Sequence, residues 1–126
     1  KKLALWNVHL EAFHRPTRIK QAKKLASLVV KDSTEFKIVA GDFNDPTAAT
    51  KSNEENAVYH FIHDTLLQAD LEYEESYTFP AWKPVEKLDH VFFTQDFTLL
   101  SSGTMRISTS DHLPVWVEFI LSDPES

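Results

Sequence analysis

The sequence predicts an α/β fold in which helices flank a mixed β-sheet. Short apolar runs typical of strands alternate with segments whose apolar residues recur at helical spacing. Their order along the chain is strand, helix, strand, helix and then further strands, which favours a layered α/β architecture. The chain has 126 residues, of which 42% are hydrophobic, so it can form one domain with a core and is not expected to be disordered.

The first two elements are an apolar strand and an amphipathic helix. The strand runs from Leu3 to Leu10, and its period of two places Asn7 and His9 on one face. Pro16 suits the first turn of the helix that follows. The basic stripe opposite its apolar face is interpreted as solvated, with a phosphate-facing role as the alternative. The apolar set is Ile19, Ala22, Leu25, Ala26 and Val29, and the basic set is Arg18, Lys20, Lys23, Lys24 and Lys31.

The next two elements repeat this pattern. A second strand runs from Phe36 to Ala40. Ser52 and Glu55 stand at capping-box spacing, so a second helix is predicted to begin there and to reach about Gln68. This helix would bury Val58, Phe61, Ile62 and Leu66, and it carries His60 and His63, which we interpret as structural or surface residues.

The second half of the chain is predicted to consist mainly of strands after one long connection. The strands are Val91 to Phe93, a pair formed by Phe97 to Leu100 and Thr104 to Ile107 around Gly103, and Leu113 to Leu121. The connection from Ala69 to Pro84 contains Tyr73, Tyr77, Phe79 and Trp82. We expect these aromatic residues to pack on the sheet edge; the alternative is that they flank a substrate.

Composition narrows the function classes. The 13 basic and 19 acidic residues give a net charge of −6, so a phosphate ester would be bound locally, with metal help, and not by a broad basic surface. Without cysteine there is no disulfide, thiolate nucleophile or cysteine zinc site, and the compartment stays open, with the cytoplasm slightly favoured. No apolar stretch approaches the roughly 18 residues of a membrane span. Because the chain starts inside a predicted strand, without Met, we expect a piece of a longer protein.

The most informative motif is the sequence Ser110-Asp111-His112-Leu113-Pro114, in which a carboxylate and an imidazole are adjacent before the last strand. Asp111 can hold Mg²⁺ or Mn²⁺, directly or through water, because these cations prefer oxygen ligands. A cationic His112 can neutralise a phosphate oxygen as negative charge develops on it. The alternative is a surface turn before Pro114.

A second polar cluster, Gly41-Asp42-Phe43-Asn44, follows the second strand. The strand delivers Asp42 to its carboxyl end, which is where open α/β sheets place ligands. The Asp42 carboxylate can accept a proton from water, and the Asn44 amide can hold that water in line. An Asx turn that satisfies backbone groups is the alternative for this tetrapeptide.

The remaining candidates lie at the ends of the first and third strands. Asp89 is expected to orient a histidine and keep it protonated, or else to cap a loop. His90 points to the opposite face and is interpreted as structural. We favour His9 as a second donor to phosphate and Asn7 as its positioner or a metal-side ligand, although the two also suit a buried, hydrogen-bonded couple. His14 is left out of the site.

Together these clusters resemble the endonuclease/exonuclease/phosphatase superfamily, which has the deoxyribonuclease I-like fold. The motifs that carry the resemblance are Asn7-Val8-His9-Leu10, Gly41-Asp42-Phe43-Asn44, Leu88-Asp89-His90-Val91-Phe92 and Ser110-Asp111-His112-Leu113-Pro114-Val115, in that order. The run from Tyr77 to Pro84 is also similar to bacterial members. The resemblance implies half of a four-layer α/β sandwich, with residues 1–126 as the carboxyl-terminal portion of the domain.

The resemblance also implies a reaction and a partner. The reaction is metal-assisted in-line hydrolysis of a phosphoester, by a phosphodiesterase, nuclease or phosphatase that uses Mg²⁺ or Mn²⁺. A nucleic acid, a sugar phosphate and a lipid headgroup are all open as substrates. The amino-terminal half, which carries a metal-binding Glu in this superfamily, or a second copy would pack on the exposed sheet face. The alternative function is an inactive half-domain that binds a partner or itself.

The resemblance also implies a role for each candidate residue. Asp42 is the base, Asn44 positions the water, and Asp111 binds the metal with Asp42 and Asn44. His112 contacts the phosphate, Asp89 holds His112, and His9 and Asn7 bind substrate.

Overall fold

A four-stranded mixed sheet forms the centre of the computed structural model, which describes residues 2–46, 55–70 and 74–122. The first pair of strands is parallel and the other pairs are antiparallel. In chain order the elements are β1 (Leu3–His9), α1 (Arg15–Lys31), β2 (Phe36–Asp42), α2 (Ala57–Thr65), β3 (Gln68–Ala69), a short 3₁₀ helix (Glu74–Ser76), β4 (Asp89–Phe93), β5 (Phe97–Thr104) and β6 (Val115–Leu121). The spatial order in the sheet is β1-β2-β4-β3, and β5 pairs with β6 in a separate two-stranded sheet.

The two faces of the four-stranded sheet have different cover. On one face α1 and α2 close the main core, whose buried residues include Ala22, Val29, Val39, Phe61 and Phe92. On the other face the β5–β6 hairpin packs through a smaller aromatic cluster of Phe36, Phe93, Phe97 and Phe119. The predicted class, α/β with a mixed sheet flanked by helices, is therefore confirmed.

Strand β1 alternates in burial along its whole length. Trp6 and Val8 pack against the helix-side core, whereas Leu5, Asn7 and His9 are exposed on the opposite face. The prediction that Asn7 and His9 share a face is confirmed, because successive strand residues point to opposite faces. The alternative of a buried couple is wrong, since both side chains face the open side.

Helix α1 differs from the prediction at one basic residue. The helix begins with Pro16 in its first turn, as predicted, but Arg18 is buried and does not belong to the solvated stripe. Its guanidinium pairs with the Asp45 carboxylate at 3.0 Å and donates to the carbonyls of Glu11 and Ala12. Because Arg combines a long apolar stem with five donors, it can reach under the helix end and satisfy buried acceptors there.

Helix α2 is shorter than predicted at both ends. Asn56 is the N-cap and accepts a hydrogen bond from the Tyr59 amide, so the predicted start at a capping box is wrong; Ser52 lies outside the described residues. The helix ends at Thr65 and is capped by Leu66, which adopts a left-handed conformation with φ +59° and is exposed and not buried. Gln68 belongs to the edge strand β3.

The predicted pairing of Phe97 to Leu100 with Thr104 to Ile107 is also wrong. Residues 97–104 form one strand, β5, which pairs with β6 and has an irregularity between Leu99 and Ser101. Gly103 lies inside the strand opposite Trp116, and a Cβ there would stand 3.1 Å from the indole ring. The glycine therefore makes room for a cross-strand aromatic residue and does not form a turn.

The long connection after β3 contains more structure than predicted. It includes the 3₁₀ helix and a backbone bridge between Phe79 and Glu86. Phe79 is half-buried, Trp82 is exposed, and Tyr73 lies outside the described residues. Within the described ranges, no helix is both long enough and apolar enough to cross a membrane.

Candidate active site

Three strand ends place their polar side chains side by side at one edge of the sheet. His9 at the end of β1 is in register with Asp42 at the end of the parallel strand β2. Asp42 is in turn in register with Asp89, the first residue of the antiparallel strand β4. His112, in the segment before β6, reaches the same place. The sheet topology thus brings together four of the side chains that the sequence singled out.

Gly41 makes the close approach of β1 and β2 possible at this edge. Its φ is +148°, and a Cβ on it would stand 1.9 Å from the Val8 carbonyl oxygen. Only glycine tolerates both the conformation and the contact. The first residue of the Gly41-Asp42-Phe43-Asn44 motif is therefore required to bring Asp42 beside His9.

The distances around Asp42 define the centre of the site. The Asp42 Oδ2 atom lies 3.6 Å from the His9 Nε2 atom and 3.6 Å from the His112 Nε2 atom. Both distances exceed the usual range of a direct hydrogen bond. A water molecule that accepts from an imidazole and donates to the carboxylate could bridge either gap.

His112 is held from several sides. Its Nδ1 donates to the Asp89 Oδ2 atom at 2.6 Å, and its ring centroid lies 4.9 Å from that of Phe79. Backbone hydrogen bonds from Leu113 to Thr78 and from Ala81 to the Asp111 carbonyl anchor the segment on both sides of it. The ring is therefore fixed in one orientation before any substrate arrives.

The electrostatic environment shifts the pKa values of His112 and Asp42 in the same direction. Burial alone would lower the pKa of His112, but the hydrogen bond and negative charge of Asp89, with Asp42 and Asp111, outweigh it and raise the pKa above 6.5. Burial raises the pKa of Asp42 above 3.8; the Asn44 amide opposes this shift, and the Asp89 charge adds to it. His112 thus favours its cationic form, while Asp42 is a stronger base than an ordinary carboxylate.

Asn44 lies in a tight turn directly after β2. Its φ is +52°, its amide N–H donates to the Asp42 Oδ1 atom at 2.8 Å, and its Nδ2 donates to the Leu10 carbonyl at 2.6 Å. The Asx turn considered as an alternative is therefore present, and it orients Asp42 instead of excluding a site. Asp45, which directly follows Asn44, is held in its buried ion pair with Arg18 and so supports this turn.

The other predicted residues lie around this centre. Asp111 is exposed and lines the same cleft as His9, Asp42, Asn44 and His112. Asn7 lines a neighbouring hollow with Asp89 and His112. Two histidines interpreted as outside the site have structural contacts. His14 caps α1 by accepting from the Thr17 amide, and the buried His90 donates from Nε2 to the Asp45 carbonyl at 2.8 Å.

A metal ion has a suitable set of donors here. Ligand atoms of Asp42, Asp89 and His112 all lie within 4.8 Å of one another. His112 and Asp89 already pair with each other. Asp111, which the sequence assigned to the metal, lies outside this group of three and lines the cleft beside it, as do Asn44 and Glu86. Oxygen donors fit Mg²⁺ or Mn²⁺.

Several residues of the site were missed in the sequence. Phe13 and Glu86 line the cleft, and Lys87 and Asp70 form a buried ion pair beside Asp89. Phe79, for which a substrate-flanking position was the alternative prediction, lines the same cleft. Charged residues next to motif residues, such as Asp45 after Asn44 and Lys87 before Leu88-Asp89, were the available indication. Their burial depends on contacts with segments distant in the sequence.

Comparisons with known proteins identify solved structures with a similar fold. The chain is similar in structure to the mannosyl-6-phosphatase of Bacteroides thetaiotaomicron VPI-5482, with 20% identity and a TM-score of 0.70 over 93% of this chain and 51% of that chain. An endonuclease/exonuclease/phosphatase family protein from the same species gives 20% identity and a TM-score of 0.73 over 97% and 50%. The human Nocturnin catalytic domain gives 18% identity and a TM-score of 0.67, over 95% of this chain and 47% of that chain.

These likenesses concern the fold, which is deoxyribonuclease I-like as the resemblance implied. The chain spans about half the length of each of these structures. No curated protein matches the sequence. The model of the Endonuclease/Exonuclease/phosphatase family matches residues 4–112, a range that includes the first three motifs in full and Ser110-Asp111-His112 of the fourth. The chain therefore belongs to the Endonuclease/Exonuclease/phosphatase family.

Proposed function

We propose that this chain is the carboxyl-terminal portion, residues 1–126, of a divalent-metal-dependent phosphoester hydrolase. The observation that carries the proposal is the Asp42 carboxylate oxygen, which lies 3.6 Å from two imidazole nitrogens, those of His9 and His112. A base flanked by two potential cations suits a water molecule attacking an anionic phosphate. Family membership and the coverage of about half of related structures support it.

Water activation falls to Asp42 and Asn44. Asp42 accepts the proton as the oxygen of water forms the new bond to phosphorus and the ester bond to the leaving oxygen breaks. Its pKa is raised by burial, which makes it a better proton acceptor than an ordinary carboxylate. The Asn44 side-chain nitrogen donates to the Leu10 carbonyl, which fixes the amide and leaves its oxygen and its second N–H to position the water.

Phosphate binding falls to the histidines. His112 donates from Nε2 to a phosphate oxygen, while Asp89 accepts from Nδ1 and keeps the ring cationic and oriented. His9 donates to a second phosphate oxygen from the exposed end of β1. Asn7, on the same face as His9, supports the substrate from the neighbouring hollow.

Asp111, with Asp42 and Asn44, would hold Mg²⁺ or Mn²⁺ through oxygen atoms, directly or through water. When bound, such a cation neutralises negative charge that develops on the phosphoryl group. The roles proposed for these residues concern the phosphate and the water, which are common to all phosphoester substrates. A nucleic acid, a sugar phosphate and a lipid headgroup therefore all remain within the proposal. The cleft wall that would meet the alcohol part of the substrate contains Phe13, Phe79 and Glu86.

The test is hydrolysis of bis(4-nitrophenyl) phosphate with Mg²⁺ or Mn²⁺. It compares this chain with a longer in-frame product that contains the upstream region, including a strand-borne Glu. We expect the longer form to be active and its Asp42→Ala and His112→Ala variants to lose activity. His63→Ala is the matched control, because His63 is an exposed histidine on α2 that pairs only with its neighbour Asp64 among the polar contacts described. An inactive longer form, together with no effect of Asp42→Ala or His112→Ala, would refute the proposal.

A second candidate function is binding of a polypeptide by the open sheet face. Leu3 and Leu5 on β1 are 54% and 68% exposed, although they alternate with core residues. We infer that the amino-terminal half of the domain, or a second copy of this chain, packs on this face. Sedimentation velocity should then show self-association or a complex with the separately expressed upstream half. Leu5→Asp should abolish the association, and Lys23→Asp on the exposed side of α1 should not.

A further inference from the structure

The edge strand β3 is too short to pair with all of β4. β3 has two residues, which are in register with Phe92 and Phe93, whereas β4 has five. One more bond joins the Asp70 amide to the Val91 carbonyl at 3.0 Å. Beyond it the edge of β4 has no strand partner in the described part of the chain, and this is the part of β4 that carries Asp89.

The direction of the backbone groups shows which bonds are missing. The Leu88 carbonyl accepts from the Phe43 amide, so the main chain of Leu88 faces the β2 side. Because backbone groups alternate along a strand, the groups of Asp89 and Val91 face the β3 side. The Asp89 carbonyl and the Val91 amide would therefore lack partners unless something other than a strand supplied them.

A buried ion pair supplies these bonds. Lys87 Nζ lies 2.8 Å from Asp70 Oδ2, and each side chain is 1% exposed. Lys87 Nζ also donates to the Asp89 carbonyl at 2.8 Å, and the Val91 amide donates to Asp70 Oδ1 at 3.1 Å. The two side chains thus supply the hydrogen bonds that a longer β3 would make to the β4 backbone at Val91 and Asp89.

Burying two charges is costly, and apolar residues often stabilise a fold as well as a buried pair does. Stability alone is therefore a weak reason for an ammonium group at this place. Its bond to the main chain of Asp89 is a better one, because the Asp89 carboxylate holds His112 at 2.6 Å. We propose that Lys87 and Asp70 are positioning residues that fix the Asp89 backbone so that its carboxylate orients His112; its catalytic meaning rests on the proposed function.

The test uses the double variant Lys87→Met/Asp70→Asn. It removes both charges together, so neither is left buried and unpaired, and the amide oxygen at position 70 still accepts from Val91. Besides the ion pair itself, only the bond to the Asp89 carbonyl is lost. The readout is the tautomer of His112 in the ¹⁵N-labelled chain, measured by long-range ¹H–¹⁵N NMR at one alkaline pH where the ring is neutral. We expect the proton on Nδ1 in the parent chain and a shift to a majority on Nε2 in the double variant.

Val29→Ala is the control for a purely structural effect. Val29 lies on α1 in the helix-side core, so its truncation lowers stability while the hydrogen bonds of Lys87 and Asp70 to β4 stay in place. The proposal requires the tautomer to be unchanged in Val29→Ala. It is overturned if the folded double variant keeps the parent tautomer, if Val29→Ala shifts it equally, or if the double variant does not fold, because the pair would then serve the fold as a whole.

A kinetic measurement on the longer form separates this proposal from the proposed function. Loss of a residue that orients a catalytic group should lower kcat about tenfold and leave KM unchanged. The tautomer is measured without substrate or metal, so it reports on positioning even if no form of the protein hydrolyses a phosphoester. An inactive longer form with a shifted tautomer would refute the proposed function alone; an active form whose double variant keeps the parent kcat would refute the positioning role alone.

Discussion

His9 and His112 stand at the same distance from the same carboxylate oxygen, yet they are held very differently. Each Nε2 atom lies 3.6 Å from Asp42 Oδ2. The His112 side chain is 23% exposed and is fixed by Asp89 and the Phe79 ring, whereas the His9 side chain is 74% exposed. Equal distance therefore does not mean equal preparation for catalysis.

The difference teaches which part of the site this chain completes by itself. His112 has its orientation and its charge set by residues of the chain, as preorganised electrostatic stabilisation requires. His9 ends a strand whose outer face is open, so further contacts with substrate or with a polypeptide on that face would have to fix it. Four changes test this contrast, beginning with the one expected to have the largest effect.

Replacing each histidine by alanine in the longer form should give unequal losses of kcat/KM. We expect His112→Ala to lower it about 1,000-fold, as for removal of a preorganised proton donor. His9→Ala should lower it about fivefold, the equivalent of about 1 kcal/mol for an exposed charge interaction. Steady-state kinetics with bis(4-nitrophenyl) phosphate measure both losses. Equal losses would show that the two histidines are equally prepared in the complete site.

Asp89→Asn should convert His112 into a residue more like His9. The variant removes the charge and acceptor that raise the pKa of His112, so that pKa should fall and kcat should drop about 100-fold. Because only the cationic ring can donate from Nδ1 and from Nε2 at the same time, the alkaline limb of the pH–rate profile should move to lower pH. The stability that the raised pKa contributes is present below pH 6.5 and is lost as pH rises through the folded-state pKa; it should disappear in the variant. An unchanged alkaline limb would contradict this account.

Gly41→Ala should displace His9 and leave His112 in its place. The new Cβ would meet the Val8 carbonyl oxygen at 1.9 Å and force β1 away from β2. We expect a loss of about 2 kcal/mol in the free energy of unfolding, measured with urea. Gly103→Ala is the matched control, because its Cβ would meet only the Trp116 side chain, at 3.1 Å. NMR shifts of His9 that stay unchanged in Gly41→Ala would count against the role of this glycine.

The smallest effect is expected for the stability of Asp42→Asn. Burial raises the pKa of Asp42, so the ionised carboxylate is less favourable in the folded chain than in the unfolded chain. Its contribution to stability is complete below pH 3.8 and is lost as pH rises through the folded-state pKa. The variant should therefore melt slightly higher at pH 7 and show no such gain below pH 3.8. A lower Tm at pH 7 would mean that the two imidazoles outweigh burial.

The sequence predicted those features that depend on local periodicity. The alternation along β1 placed Asn7 and His9 on one face, and the glycine, acid and amide at the end of β2 marked the place where a ligand is expected. Asp89 was assigned to a histidine partner because a charge at the end of an apolar run needs one, and it contacts His112. These inferences required no knowledge of distant contacts.

The features that were missed or wrongly predicted depend on packing between distant segments. Arg18 falls on the basic side of a helical wheel, and only Asp45, 27 residues further on, reveals that it is buried. In the sequence Lys87 looks like an exposed loop lysine, and only its ion pair with Asp70 in the structure shows that it is buried. The end of α2 and the length of β5 depend likewise on a left-handed Leu66 and on Trp116 across the strand pair.

The position of β1 at the edge of the sheet has a consequence for the exchange of its backbone amides with solvent. The Leu10 amide donates to the Asp42 carbonyl, so the amides two and four residues earlier, those of Val8 and Trp6, also face β2. The amides of Leu5 and Asn7 point away from it, toward the unpaired edge. Deuterium uptake along this one strand should therefore alternate, fast at odd positions and slow at even ones. A partner that adds a strand to the edge would remove the alternation, whereas one that covers only the side chains of the open face would preserve it.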